Sequence, residues 1–189
     1  MLVVVRHGRT EANASGLLLG RHDPPLDDTG RAQAVALAAA VGEADRVVAS
    51  PLLRARETAA AFGRDVEVDD RWVELDYGAW DGRPISGVGT EEWARWRSDV
   101  HFRPPGGETL AELGTRVREA CDDLAADARG RTVVVVSHVS PIKAAVTWAL
   151  GVGDEAVWHL YVAPASITRI EVRDGRPVLI SFDEVSHLD

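Results

Sequence analysis

The sequence predicts an α/β fold, a three-layer α/β/α sandwich on a mostly parallel sheet with one antiparallel edge strand. Three observations carry this. Two apolar runs, Leu2-Val3-Val4-Val5 and Val133-Val134-Val135-Val136, are Val-rich without polar alternation, as parallel strands covered on both faces are. Between them, strand-like and helix-like stretches alternate, the pattern of βα units. Near the end, the runs Ile167-Val172 and Pro177-Phe182 flank Asp174-Gly175, a dipeptide that turns antiparallel hairpins.

Taken in order, the first strand leads into Arg6-His7-Gly8. Asp28-Thr29-Gly30 then precedes a helix over about Arg31 to Val41, with Ala34, Leu37, Ala38 and Val41 on one face, and Gly42 stops it. Val47-Val48-Ala49 reads as the second strand. Ser50 as N-cap and Pro51 at the first helical position predict a helix running to about Phe62, with Arg54 in its first turn. After a short strand at Val66-Val68 comes the longest loop, Asp70 to Gly89, which carries Glu74 among Tyr77 and Trp80; a segment of that length in a domain is usually functional. A helix over Thr90 to Arg97 precedes Pro104-Pro105-Gly106-Gly107. A longer one then starts at Glu108 or Thr109 and reaches Ala126, its inward face Leu110, Leu113, Val117, Cys121 and Leu124. That spacing makes Cys121 a core residue with no basic neighbour to activate it. The Val133-Val136 strand follows, then, after Pro141, a helix to Leu150 and the hairpin.

With 189 residues, 46% of them hydrophobic, and no repeat, low-complexity tract or long linker, the chain is expected to form one domain over residues 1–189. A single cysteine rules out an intrachain disulfide framework and fits a reducing cytoplasm. Strand-like sequence from Leu2 leaves no room for a signal peptide, and no apolar stretch reaches membrane-spanning length. The expectation is a soluble cytoplasmic protein without a membrane partner. A formal net charge of −9 argues against nucleic acid, whose backbone requires a clustered positive surface. It leaves room for a small anion, because local pairs such as Arg6/Arg9 and Arg54/Arg56 dominate the potential inside a cleft. Lys143, the only lysine among 21 basic residues, reads as a trace of genomic base composition without functional content.

Both long Val runs end in a histidine, His7 and His138, and parallel sheets place ligands at the carboxyl ends of their strands. Arg6 beside His7 suits an anion and repels a metal cation. Phosphoryl transfer without metal needs a nucleophile, cations on the equatorial oxygens and an acid for the leaving oxygen. His7 can attack phosphorus, Arg6, Arg54 and His138 can hold the oxygens, and Glu74 can protonate the departing alkoxide. Taken singly, each has a bland reading: His138 as a satisfied structural group, Arg54 and Arg56 as solvated, Glu74 as a loop acid. The pairing of the two histidines shifts that balance. Trp93 and Trp96 read as packing residues, and His22, His101, His159 and His187 as structural.

The string Arg6-His7-Gly8-Arg9-Thr10-Glu11-Ala12-Asn13 resembles the RHG signature of the histidine phosphatase superfamily, the phosphoglycerate mutase-like proteins. The resemblance continues through Gly20, Asp23-Pro24-Pro25-Leu26, Thr29 to Ala34, Ser50 to Ala59, Glu74 to Gly82, Pro105 to Thr109 and Ser137-His138. It implies that His7 becomes phosphohistidine, that Arg6, Arg54 and His138 bind the phosphoryl group, and that Glu74 is the proton donor and later the base for water. Asn13 matches a phosphate-contacting position, and Gly20 falls with the substrate-binding set. No metal and no dissociable cofactor are implied.

The Arg6–Asn13 block and Ser137-His138-Val139-Ser140-Pro141-Ile142-Lys143 are similar to the acid phosphatase or α-ribazole phosphatase-like branch. Arg9 departs from the pattern where many members have Glu, Leu19 where Gln is common, and Val139-Ser140 where Gly-Gly often follows. The added cation at Arg9 favours a substrate with a second negative group, or forms a surface ion pair with Glu11 or Glu57. The function expected is a phosphomonoesterase acting on a small phosphorylated metabolite, with homodimerisation left open. The alternatives are phosphoglycerate mutase-type transfer and a non-catalytic phospho-ligand binder. The loops around Arg9, Arg21, Arg83 and residues 93–103 are expected to set specificity.

Overall fold

Six strands form one sheet in the computed structural model, which describes residues 1–189. They are β1 (Leu2–Arg6), β2 (Arg46–Ala49), β3 (Val66–Val68), β4 (Val133–Ser137), β5 (Ile167–Arg173) and β6 (Arg176–Glu184), in spatial order β3-β2-β4-β1-β5-β6. The first four in that order run parallel; β5 pairs antiparallel with β1 and with β6, so the antiparallel edge is a hairpin pair. Asp174 (φ 49°) and Gly175 (φ 77°) turn that hairpin with two consecutive left-handed residues, the requirement of a two-residue turn matched to strand twist.

The helices are α1 (Glu11–Ala14), α2 (Asp28–Val41), α3 (Leu53–Ala60), α4 (Thr90–Ser98), α5 (Leu110–Asp127) and α6 (Val139–Leu150). They cover both faces of the sheet, which is why the Val runs show no alternation. Leu2, Val4, Val133 and Val135 pack with Leu113, Val117 and Cys121 of α5 and Ile142 and Ala145 of α6. The opposite side chains, Val3, Val5, Val134 and Val136, pack with Leu37 of α2 and Ala55 and Ala59 of α3. Cys121 is fully buried and its thiol is raised far above the usual range by desolvation, in keeping with a core role.

Three helix starts differ from the sequence expectation, each for a local reason. Asp27, one residue upstream of the expected signal, caps α2 by accepting from the Gly30 N–H at 2.7 Å, so the helix begins at Asp28. Ser50 does not cap α3: its hydroxyl lies 2.7 Å from His138 Nε2, and the helix starts three residues on, at Leu53, without a side-chain cap. Pro141 lies in the third position of α6, where the missing N–H is one of the four that a helix start leaves unpaired. The long segment 70–89 is not structureless either; it contains three short 3-10 turns, Asp70–Trp72, Gly78–Trp80 and Ile85–Gly87. Thr109 caps α5 in a reciprocal box with Glu112, as the Thr-x-x-Glu spacing allows.

Candidate active site

The parallel register that sets Leu2 against Val133 sets Arg6 against Ser137, so His7 and His138 leave adjacent strands side by side. The His7 N–H donates to Ser137 O at 3.0 Å, and the two rings lie 5.0 Å apart, tilted by 58°. Both imidazoles are buried, and burial, together with the Arg54 and Arg6 guanidinium groups, holds each well below the ordinary histidine pKa. Both are therefore neutral. His7 Nδ1 lies 2.7 Å from its only acceptor, Gly8 O, so its proton belongs there and the lone pair is on Nε2. His138 Nε2 meets Ser50 Oγ while its Nδ1 has no partner; with Ser50 donating, Nδ1 is a free N–H donor.

Arg54, the second residue of α3, is completely buried. Its Nε–H donates to His7 Nε2 at 3.3 Å, Nη1 to His22 O at 2.7 Å and Nη2 to Gly20 O at 3.0 Å. Those carbonyls are fixed in turn by Asp81, whose carboxylate accepts from the N–H groups of Gly20, Arg21 and His22 at 2.8 to 3.0 Å. Thr58, one turn after Arg54, accepts from the Gly8 N–H at 3.0 Å and donates to Arg54 O at 2.8 Å, tying the loop that follows His7 to this helix. Arg6 donates to Val162 O at 2.7 Å through Nη1 and leaves a buried Nε without a partner. Burial lowers the pKa of both guanidinium groups, against the pull of Glu74.

Glu74 is brought to the same place from the 70–89 segment. Its Oε1 accepts from the Leu75 N–H at 2.7 Å and from the Ser140 N–H at 3.2 Å, which sets the carboxylate against the first turn of α6. Behind it, Arg116 donates to Arg71 O and Glu74 O and forms a two-pronged pair with Glu108. The loop that carries Glu108 comes so close that a Cβ on Gly107 would lie 2.3 Å from Asp76 O.

Arg6, His7, Asn13 and Glu74 line a cavity of about 280 Å³. Its other wall is largely apolar and includes Trp93, Trp96, Val157 and Trp158. Arg54 and His138, both fully buried and beside His7, are outside the lining; Gly20 is also outside it and serves as a carbonyl partner of Arg54. Asn13 uses Oδ1 to cap α1 with Thr10. Arg9 points away: it pairs with Asp27 at 2.8 Å and with Thr29, and with neither Glu11 nor Glu57. Of residues 83–103, Ile85, Trp93 and Trp96 reach the cavity. The Trp pair is thus both packing and wall, with Trp96 edge-on to Trp158 at 4.7 Å. Lys143, read from the sequence as a trace of base composition, lines the cavity, on the face of α6 it shares with Ser140, three residues earlier. Sequence reasoning also missed the roles of Ser50, Asp81, Arg116 and Glu108, each of which bonds to at least one group more than 30 residues away. No cluster of three or more His, Cys, Asp or Glu side chains is placed to hold a metal ion.

The profile described as Histidine phosphatase superfamily (branch 1) matches residues 2–184. A bifunctional protein of Mycobacterium tuberculosis is 38% identical over 180 residues, 90% of this chain and 50% of that protein, so the chain spans about half the length of the first curated relatives it matches. Phosphoserine phosphatase 1 of Hydrogenobacter thermophilus is 33% identical over 99% of this chain and 93% of its own length. Among solved structures, a mutant phosphoserine phosphatase from Entamoeba histolytica in complex with phosphoserine superposes with a TM-score of 0.92 at 28% identity, covering 99% of this chain and 98% of that one. A mycobacterial glucosyl-3-phosphoglycerate phosphatase in complex with VO3 superposes with a TM-score of 0.89 at 30% identity, over 97% and 98%.

Proposed function

The chain belongs to the histidine phosphatase superfamily, branch 1, and from that premise we propose that it is a phosphomonoesterase acting on a small phosphorylated metabolite through a phosphohistidine on His7. The observation that carries this is the setting of His7: a buried, neutral ring donates its Nδ1–H to Gly8 O and keeps the Nε2 lone pair, with a guanidinium at 3.3 Å from that nitrogen. An incoming phosphoryl group takes the place of the Arg54 contact. Nε2 bonds to phosphorus, the bond to the ester oxygen breaks, and Glu74 gives that oxygen its proton. Arg6 Nε, Arg54 and His138 Nδ1 are the donors available to the phosphoryl oxygens, and the loss of one such donor costs on the order of 3 kcal/mol of transition-state stabilisation. Glu74, now ionised, takes a proton from water as it attacks phosphorus, and inorganic phosphate leaves with His7 neutral again.

The relatives that act on phosphoserine and glucosyl-3-phosphoglycerate support a small phosphomonoester as substrate. A relative from Salmonella, named a probable phosphoglycerate mutase and 33% identical over 98% of this chain, supports a second reading, in which the phosphoryl group returns to product. Incubation with 3-phosphoglycerate separates them: the phosphatase reading expects inorganic phosphate without the 2-phospho isomer. Trapping radiolabelled enzyme tests the intermediate. A phosphoramidate on His7 is acid-labile and base-stable and is absent from His7→Ala; the opposite lability, or label retained in His7→Ala, overturns the mechanism. Neither turnover nor label with a panel of phosphoserine, phosphoglycerates, sugar phosphates and α-ribazole phosphate would leave a phospho-ligand binder.

A further inference from the structure

Lys143 is a cation in an unfavourable place. It is the only lysine in the chain, lies half-buried in the cavity wall, and makes no hydrogen bond or ion pair with any protein group. Acidic residues outnumber basic ones 30 to 21, and most arginines of this chain do find a carboxylate. Arg6, lining the same cavity, adds a like charge. Glu74 is the acid that offsets this, yet it is held by the Leu75 and Ser140 N–H groups and stands beyond ion-pair distance of Lys143. Burial accordingly pulls the ammonium below its usual pKa. A charge kept under these conditions is balanced once an anion enters the cavity.

The phosphoryl group already has Arg6, Arg54 and His138. The cavity that Lys143 lines is otherwise largely apolar and includes Trp93, Trp96 and Trp158, which suits hydrocarbon. We propose that Lys143 is a specificity-determining residue that binds a second acidic group, a carboxylate, on the alcohol half of the phosphomonoester, while the aromatic wall takes that half's carbon skeleton. The proposal rests on the phosphomonoesterase reading above. It moves the second-anion role, which the sequence suggested for Arg9, to a residue that faces the cavity.

The test compares phenyl phosphate with its 3-carboxy and 4-carboxy derivatives, and its readout is the ratio of kcat/KM for a carboxylated ester over the plain one. The wild-type protein should prefer at least one carboxylated ester by tenfold or more, about 1.4 kcal/mol. In Lys143→Met the preference should collapse, chiefly through KM, and Lys143→Arg should retain part of it. Turnover of plain phenyl phosphate reports in each variant that the site is folded. No preference in the wild type, or a preference that survives Lys143→Met, sinks the proposal; so does a uniform loss on all three esters, which would assign Lys143 to the phosphoryl group. If none of the three is turned over and no phosphoenzyme forms, the phosphatase reading is what fails. Calorimetric binding of the same three esters to wild type and Lys143→Met then decides the role of Lys143 by the same ratio.

Discussion

His7 and His138 show how one local feature sets both chemistry and pH response. Each imidazole is kept neutral by burial, with nearby guanidinium groups adding to the effect, and each therefore binds its proton only well below the ordinary value of 6.5. The unfolded chain binds those protons near 6.5, so the folded state has its full advantage above that pH and loses it as the pH falls below, by roughly 1.4 kcal/mol per pH unit for each histidine. Urea midpoints measured from pH 7.5 to pH 5 should fall accordingly, and His138→Gln should remove about half of the slope; an unchanged slope would show that the ring titrates normally. The same shift keeps the Nε2 lone pair available, so the acid limb of the kcat/KM profile that belongs to His7 should lie well below pH 6.5. Asp81 acts one step removed, through the backbone that carries the Gly20 and His22 carbonyls. It is a positioning residue for Arg54.

Among the elements, the Glu74 segment depends on contacts made far from the carboxyl group. Arg116 and Glu108 hold it from behind through the Arg71 and Glu74 carbonyls and the Asp76 N–H. Arg116→Ala should lower kcat by on the order of ten- to a hundredfold, as small displacements of catalytic groups do, while thermal unfolding shows a folded protein. The hairpin turn is the control. Gly175 has φ 77° and no role near the cavity, so Gly175→Ala should cost about 1 kcal/mol in unfolding free energy and leave kcat unchanged. A fall in kcat for Gly175→Ala, or none for Arg116→Ala, would reverse this assignment of roles. The α6 start contributes in both senses: Ser140 offers its N–H to Glu74, and Lys143 on the same face meets the cavity.

Across the whole molecule, the sheet is the plate on which the site is mounted, and it is held from both sides. Ile142 of α6 is buried in the cluster that also contains Val135 and Leu113, one residue from Lys143 and two from Ser140. Ile142→Ala should destabilise by about 2–5 kcal/mol, the range for truncating a well-packed aliphatic side chain. Activity at a temperature well below the new midpoint should survive, since none of its atoms line the cavity. The chain as a whole carries a net charge of −9, yet two buried guanidinium groups, Arg6 in the cavity lining and Arg54 in contact with His7 Nε2, make the potential at the site locally positive. No helix of the chain is long and apolar enough to cross a membrane.

The sequence by itself determined the elements and much of the chemistry. Strand and helix periods, the Asp174-Gly175 turn and the Thr109 cap are interactions between near neighbours, and the two histidines were legible because each follows a Val run directly. What only the tertiary structure decided is which side chains meet between separated parts of the chain, from 18 residues apart for Arg9 and Asp27 to 88 for Ser50 and His138. It turned Ser50 from a helix cap into the partner of His138, paired Arg9 with Asp27 on the surface, and brought Lys143 into the cavity. The physical reason is common to all three: a side chain's partner is set by strand register and by the face its helix presents. Both are fixed when the whole sheet closes, by burial summed over two hydrophobic clusters rather than by any local pattern.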